Sequence, residues 1–262
     1  MAGDKIRLRF AKTGPVRLIS HHDLMRCAER MLRRAELPFR VTQGFHPTPR
    51  LVFALSCPLG AAALREVVEL ELQTPHDAAD VLARLNAQAP AGLVFHAAAE
   101  VPLKATAVAR RAVYSVELPP GRAAEVRDRA AALLAQDKVW VERQHPNPRR
   151  LNLRPFVRNI TVTDAATFDL WVTGHGTARG DELARLLDLN DVVDGGAVLT
   201  RVDLEIHDEV PAGDLADVPP VGPPELLPSD PTTHPAGPVP AGDANDAARA
   251  TWGLSPAGPA VE

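Results

Sequence analysis

Residues 5–10 read Lys-Ile-Arg-Leu-Arg-Phe, so apolar and basic side chains alternate along this segment. A period of two is typical of a half-buried strand, and it places Lys5, Arg7 and Arg9 together on the outer face. Gly14-Pro15 ends the segment because neither residue favours a continued strand. We therefore expect the fold to begin with a strand whose outer face is basic.

An amphipathic helix is predicted directly after this strand. Ser20 is a favourable N-cap, with Asp23 three residues later as in a capping box, and Pro38 lies beyond the end of the helix. One helix face is apolar, and the opposite face carries basic residues three to four positions apart. The apolar residues are Leu24, Ala28, Met31, Leu32 and Ala35, and the basic ones are Arg26, Arg30, Arg33 and Arg34.

The order of the predicted elements indicates the fold class. Strands are expected at 39–42 with an extension at 51–56, at 66–72 and at 92–101, and a helix at 77–88. Together with the first strand and helix this is the split βαβ order of ferredoxin-like folds. A similar order follows, with strands at 112–118, 139–143, 151–163 (interrupted at Pro155), 168–173 and 199–206 and helices at 122–135 and 180–187. The sequence thus predicts an α+β protein of two tandem ferredoxin-like halves, residues 1–104 and 105–208.

The rest of the chain, residues 209–262, differs in composition. It contains 12 of the 25 prolines and eight acidic residues against one basic residue, a net charge of −7, whereas residues 1–208 carry +3. Such a segment buries too little apolar surface to fold, which predicts a disordered Pro-rich acidic C-terminal tail. Leu226-Leu227 and Trp252-Gly253-Leu254 are its apolar elements, and they allow either a short docking motif or no function.

Composition excludes several classes of protein. There is no apolar run long enough for a transmembrane helix and no signal-peptide pattern at the N-terminus. The two cysteines, Cys27 and Cys57, have no Cys-x-x-Cys spacing, so a disulfide framework, a zinc site and an iron–sulfur cluster are not expected. A Walker A loop and a Gly-x-Gly-x-x-Gly motif are missing as well. We expect a cytoplasmic protein with no cofactor, no metal and no membrane partner.

Several motifs resemble a known family. These are Arg7-Leu-Arg-Phe-Ala-Lys-Thr-Gly14, Arg17-Leu-Ile-Ser-His-His-Asp-Leu-Met-Arg26, Glu29-Arg-Met-Leu-Arg-Arg-Ala35, Gln43-Gly-Phe-His-Pro-Thr-Pro-Arg50, Phe53-Ala-Leu55, Pro58-Leu-Gly60 and Asn152-Leu-Arg-Pro155. They resemble the radical SAM-linked protein family, domain of unknown function 2344. The resemblance is dense over residues 5–75, patchy to about 208 and missing from the tail.

The resemblance implies an accessory role beside a radical SAM protein, in the modification of RNA or of the ribosome, without an assigned activity. The chain has no Cys-x-x-x-Cys-x-x-Cys motif, so the partner would supply the cluster chemistry. Two positions depart from the family pattern: His22 replaces a leucine and Asn152 replaces an acidic residue. If an acid at the second position were catalytic, this protein would lack it, which weighs against an enzyme.

Two segments are candidate binding sites. The first combines Ser20, His21, His22, Asp23 and Arg26 at a helix N-terminus, where free N–H groups and the helix dipole favour phosphate, although the same residues also suit an ordinary cap. The second is the loop 43–50, where Gly44 allows close approach and His46 offers a ring for hydrogen bonding. Its Phe45 could stack on a base or anchor the loop in the core.

Basic residues extend these candidates. Lys5 to Arg50 contains 11 Lys and Arg residues against three acids, a density expected of a surface that follows a phosphate backbone, although charge runs are more commonly a solvated helix face. The predicted anion- and RNA-binding set adds Arg7, Arg9, Arg17, Arg30, Arg33, Arg34, Arg50 and Arg154 to the two segments. A second cluster, Arg143, Arg149, Arg150, Arg154 and Arg158, could continue the track.

Three functions remain open on this sequence. The first is a binding module that presents RNA to a radical SAM partner. The second is an RNA-processing enzyme in which His21, Asp23 and His46 perform acid–base catalysis. The third is a scaffold whose basic face only docks the radical SAM protein.

Overall fold

A mixed α+β fold is seen in the computed structural model, which describes residues 4–144, 147–210 and 221–226. The strands are β1 Lys5–Lys12, β2 Leu51–Phe53, β3 Ala62–Glu71, β4 Leu93–Glu100, β5 Ala109–Glu117, β6 Trp140–Arg143, β7 Arg149–Asn152, β8 Val157–Val162, β9 Ala165–Thr173, β10 Gly176–Thr177, β11 Thr200–Ile206 and β12 Glu225–Leu226. The helices are α1 His21–Arg34, α2 Ala78–Gln88, α3 Ala123–Leu134, α4 Gly180–Leu186 and α5 Asn190–Asp194. Nine strands form one sheet and β6, β7 and β12 form another.

β1 lies between β3 and β4 and is antiparallel to both, with Ile6 opposite Leu70 on one side and Glu100 on the other. β2 is antiparallel to β3 and pairs with the edge of β3 that faces away from β1. Helices α1 and α2 follow the predicted boundaries closely, because Ser20 and Asp77 cap their first turns. Their apolar sides contribute Leu24, Met31, Leu32, Val81 and Leu85 to a core with Ile6, Leu8 and Phe10 of β1.

The later strands extend the same sheet. β5 lies between β9 and β11 and is antiparallel to both, and β8 is antiparallel to β9. β11 then runs parallel to β3, with Thr200 opposite Ala62 and Arg201 opposite Ala63. The two groups of strands are therefore continuous. The α+β class is confirmed, whereas two tandem ferredoxin-like halves remain a prediction.

One local expectation differs from the structure. Residues 39–42 form isolated bridges, Phe39 to Leu72 and Val41 to Pro49, instead of a strand. The interruption expected at Pro155 within the strand 151–163 is confirmed: Pro155 lies in a 3-10 turn, because proline has no N–H to donate to a ladder. The first part of that strand pairs with β6 outside the main sheet, and its second part is β8.

The C-terminal segment was expected to be disordered from residue 209. This is wrong for Glu225–Leu226, which pair with β7 as β12, and Glu209 belongs to the 3-10 turn His207–Glu209. The predictions for 211–220 and 227–262, including the Trp252-Gly253-Leu254 element, lie outside the described residues. In the part of the chain that the structure describes, no helix has the length and apolar character needed to cross a membrane.

The expectation of an exposed basic face on β1 is also wrong. Lys5 is 3% exposed and Arg7 is 8% exposed, because β1 is a central strand and the residues after β11 cover its second face. Glu69 Oε2 lies 2.9 Å from Lys5 Nζ, and Arg7 donates to Glu69 and to Asp208, each at 2.8 Å. Paired acids from β3 and from the 207–209 turn therefore neutralise this face.

Candidate functional site

The N-terminus of α1 is closed by its own side chains. Ser20 Oγ accepts a hydrogen bond from the Asp23 N–H at 3.1 Å and donates one to Asp23 Oδ2 at 2.7 Å. The hydrogen bond from Ser20 and the charge of Arg26 lower the pKa of the Asp23 carboxyl. The geometry is that of an ordinary cap, with a carboxylate already at the positive end of the helix dipole.

The two histidines that follow Ser20 point in different directions. His22 is exposed, whereas the ring of His21 lies edge-on to Phe53 with the ring centroids 4.9 Å apart. The Nδ1 atom of His21 is buried and has no hydrogen-bond partner among the described residues. Burial, followed by the charges of Lys12, Arg201 and His22, lowers the pKa of His21. The imidazole is consequently neutral at pH 7 and belongs to the interior more than to the surface.

Below His21 lies a buried polar cluster that sequence reasoning missed. Arg201 of β11 and Lys12 of β1 are fully buried, and Glu66 of β3 is 1% exposed. Arg201 donates from Nε to Glu66 at 2.6 Å and from Nη1 to the Tyr114 hydroxyl at 3.1 Å. Lys12 Nζ donates to the Ile19 carbonyl at 3.0 Å, just before α1. The sequence held one indication of this cluster: Glu66 alternates with Val68 and Leu70 along β3, so its side chain is expected on the same buried face.

Burial and charge perturb the pKa values of Lys12 and Arg201 and of the neighbouring Cys57. Burial raises the pKa of the Cys57 thiol to about 11, and Glu66 adds to that effect. Burial lowers the pKa of Lys12. Burial alone would lower the pKa of Arg201, but the charge and hydrogen bonds of Glu66 raise it well above its usual value. The Arg201–Glu66 ion pair of this cluster therefore links β11 to β3, and the Cys57 thiol beside it is neutral at pH 7.

The outer face of α1 carries the exposed arginine stripe, defined here as Arg26, Arg30, Arg33 and Arg34. The pairs within it are surface pairs: Arg33 lies 2.8 Å from Glu29, and Arg26 lies 3.7 Å from Asp23. Arg34 donates to the Gln88 carbonyl at 3.1 Å. Exposed pairs contribute at most about 1 kcal/mol, so an incoming phosphate can compete for these guanidinium groups.

The predicted loop 43–50 is the tip of a small hairpin. The Thr42 N–H donates to the Thr48 carbonyl at 2.8 Å, and Gly44 adopts φ 147° at the turn. Phe45 at the tip is 88% exposed, so the alternative in which it anchors the core is wrong. At the base of the hairpin, the Arg33 guanidinium lies 5.4 Å from the centroid of the Phe39 ring. The loop thus begins beside the arginine stripe.

Other predicted site residues are bound within the protein. Arg7 and Arg9 lie on the face of β1 opposite Leu8 and Phe10, which pack with α1, and therefore do not join the stripe. Arg9 donates to the Leu204 carbonyl at 2.7 Å and pairs with Glu209. Arg17 donates to the Gly60 carbonyl at 3.2 Å, and Arg50 pairs with Glu71 at 3.1 Å.

Most side chains of the second basic cluster are also engaged in contacts within the protein. Arg154 donates to the Leu134 and Val157 carbonyls at 3.1 and 2.9 Å, and it therefore stabilises a turn. Arg143 binds both oxygens of Glu182 at 2.7 Å, and Arg158 pairs with Asp169 at 2.8 Å. Arg149 and Arg150 lie on β7, the central strand of the smaller sheet, and are half-buried.

Asn152, one of the two departures from the family pattern, has a structural role. Its Oδ1 accepts hydrogen bonds from the Val139 N–H at 2.8 Å and from the Arg154 N–H at 3.1 Å. These bonds need only an acceptor oxygen, which a carboxylate also supplies. The position therefore shapes the β7 turn.

The candidate acid–base residues are not assembled. His46 is exposed in the hairpin loop, His21 points into the interior and Asp23 binds Ser20. Among the described residues no hydrogen bond or ring contact links His21 with His46. Within the same ranges no three His, Cys, Asp or Glu side chains are grouped to hold a metal ion.

Comparison with known proteins identifies the family. The family model described as "Uncharacterized protein conserved in bacteria (DUF2344)" matches residues 5–182. This match covers more than half of the chain, so the chain belongs to that family. No curated protein matches it.

Proposed function

We propose that this member of an uncharacterized bacterial family is an accessory protein of a radical SAM enzyme and binds or presents RNA for modification. The observation that carries the RNA part is the exposed arginine stripe on α1 beside a hairpin whose Phe45 is 88% exposed. The radical SAM partner is an expectation from the resemblance of residues 5–75 to the radical SAM-linked family. The reaction itself belongs to the partner.

The stripe suits a phosphodiester backbone because its members follow one another at three- and four-residue steps along one helix face. Arg30 is exposed and has no ion-pair partner among the described residues. Each phosphate that replaces counterions at such a guanidinium adds to the affinity and to its salt dependence. Binding should therefore weaken steeply between about 50 and 200 mM salt.

Phe45 would add contacts to the bases. An exposed aromatic ring at the tip of a hairpin can stack on an unpaired base without reading its identity. The neighbouring His46 is exposed and can donate or accept a hydrogen bond beside it. Arginine contacts and one stacking platform together favour single-stranded RNA over a duplex.

The test is RNA binding by the full chain, measured by fluorescence anisotropy with a labelled single-stranded oligouridine. Wild type is compared with an Arg30→Glu/Arg33→Glu variant and with an Arg65→Glu/Arg185→Glu control. The control makes the same change of charge at side chains that are 59% and 64% exposed elsewhere. We expect the stripe variant to lose at least about tenfold more affinity than the control, because two phosphate contacts are replaced by repulsion. No binding by wild type at about 50 mM salt would reject the RNA part of the proposal.

A second candidate, a scaffold that docks the radical SAM protein without RNA, is favoured by two exposed leucines. Leu18 is 59% exposed and Leu59 is 68% exposed. Their loops are joined by hydrogen bonds between Arg17 and Gly60, at 3.0 and 3.2 Å. Three results together would select this function. The radical SAM protein would bind after nuclease treatment, the Leu18→Ser/Leu59→Ser variant would lose that binding, and wild type would not bind oligouridine. The acid–base enzyme with His21 and His46 has no comparable support.

We also infer that each group of strands is a ferredoxin-like half. The neighbour order β4-β1-β3-β2 supports this for the first, and the order β8-β9-β5-β11 supports it for the second. Each order contains antiparallel neighbours and an interleaved strand, as in a split βαβ unit. In that arrangement the β6–β7 hairpin is an insertion into the second half.

A further inference from the structure

The smaller sheet ends at β12, which occupies the outer edge of β7. Glu225 pairs with Arg150 and Leu226 pairs with Arg149. On the other side of β7, Glu142 lies opposite Arg150. Residues directly opposite one another on neighbouring strands share a face, so Arg150 lies between two acidic residues. Its guanidinium also lies 4.5 Å from the centroid of the Trp140 ring.

The other face of this sheet carries positive charge that is only partly compensated. Arg143 and Arg149 lie opposite each other, and like charges in such a position repel. The carboxylate of Glu182 is already used, because Arg143 binds both oxygens and the Arg179 N–H binds Oε2 at 2.9 Å. In the described ranges Arg149 and Arg179 have no carboxylate partner. Burial, then Arg143 and Arg179, lower the pKa of Arg149.

The contact that covers this edge is short. β12 has two residues, Glu225 is exposed and Leu226 is 76% exposed, so the strand itself buries almost no apolar surface. Upstream of it, Val221 is the residue of the segment 221–226 that packs against the core. A pairing of this size is held by a few backbone hydrogen bonds and by charge. It is therefore a contact that another anion can displace. The segment that it attaches is acidic, because residues 209–262 carry a net charge of −7.

We propose that the edge of β7 covered by β12, flanked by Arg150 on one face and by Arg149 and Arg179 on the other, is a second phosphate-binding site. The acidic C-terminal segment, docked there through Glu225–Leu226, competes with RNA for it. This inference rests on the proposed function and adds its regulation. Docking lowers the affinity of the full chain for RNA, and RNA that binds across β7 displaces β12. The arginine stripe on α1 remains the primary surface.

Two full-chain variants with the same change of charge test the competition. Glu225→Lys places a cation opposite Arg150, and Glu262→Lys makes the change at the last residue. Oligouridine affinity is measured for both at about 50 mM salt. We expect Glu225→Lys to tighten binding at least about threefold more than Glu262→Lys. Adding Arg149→Glu/Arg179→Glu to Glu225→Lys should abolish that gain. Equal gains in both lysine variants would overturn the proposal, because net charge alone would explain them.

Hydrogen–deuterium exchange of the full chain provides a readout that does not depend on affinity. Saturating oligouridine should speed exchange at residues 221–226 in wild type, and Glu225→Lys should do so without RNA. Unchanged exchange at 221–226 in saturated wild type would overturn the competition. If RNA binding requires Arg30 and Arg33 but Glu225→Lys changes nothing, only this inference fails. If neither wild type nor Glu225→Lys binds RNA, the proposed function fails with it.

Discussion

Arg201 and Glu66 form a buried ion pair where β11 meets β3, with Arg201 Nε 2.6 Å from Glu66 Oε1 and the two side chains 0% and 1% exposed. The pair lies at the parallel contact between β11 and β3, which joins the N-terminal strands to the later ones. Its Arg201 also donates to Ser56 and Tyr114, both at 3.1 Å, so each guanidinium nitrogen is used. The junction between the two groups of strands is thus fixed by charge as well as by the backbone.

Glu66→Gln should destabilise the protein by about 3–5 kcal/mol, because it leaves the buried Arg201 guanidinium without its counter-charge. Urea unfolding followed by circular dichroism measures the loss. Glu71→Gln is the matched control on the same strand: its partner Arg50 is 46% exposed, and the expected loss is below about 1 kcal/mol. A Glu66→Gln variant as stable as Glu71→Gln would contradict this view of the junction.

The lowered pKa of His21 makes stability depend on pH. Folded His21 releases its proton at a lower pH than the unfolded residue, whose pKa is about 6.5. The unfolded state therefore binds more protons as the pH falls below about 6.5, and the free energy of unfolding decreases toward pH 5. His21→Gln should flatten this slope between about pH 7 and 5 in urea titrations. His22→Gln, at the exposed neighbour, retains His21 and should retain the slope. An identical slope in His21→Gln would assign the dependence to other groups.

Cys57 should resist alkylation in the folded protein. It is 3% exposed, and burial raises its pKa to about 11, so only about one thiol in a thousand is ionised at pH 8. Mass spectrometry after iodoacetamide treatment should therefore show one adduct, at the partly exposed Cys27, until urea is added. Cys27→Ser should show none before unfolding. Rapid labelling of Cys57 in that variant would disprove its burial.

Under the proposed function, Phe45→Ala should weaken oligouridine binding by about 1–3 kcal/mol, the contribution of one base stacked on an aromatic ring. The urea midpoint should stay unchanged, because the ring is exposed and does not pack in the core. Phe45→Trp should retain affinity. Val41→Ala, a change at a 41% exposed residue of the same hairpin, is the control for an effect on loop shape. Equal losses in Phe45→Ala and Val41→Ala would show that the hairpin acts through its shape and not through the ring.

Local patterns were sufficient for the helices and most strands. The caps at Ser20 and Asp77 and the 3.6-residue periodicity determine α1 and α2, since the hydrogen bonds of a helix join near neighbours. The same periodicity predicted that Arg26, Arg30, Arg33 and Arg34 share the outer face. Alternation predicted β1 and β3, but it could not tell an outer face from a second buried one.

The tertiary structure alone decided the environment of each charge. Arg7 and Glu69 are 62 residues apart, and Arg201 and Glu66 are 135 apart, so no local pattern reveals these pairs. The same holds for the pairing of Glu225 with Arg150. This pairing is the reason that the prediction of disorder is wrong for Glu225–Leu226. By itself the sequence determined the elements and the exposed arginine stripe on α1, because both depend on neighbours within a few residues. Which arginines are buried, paired or free depends on strand order, which only the folded chain sets.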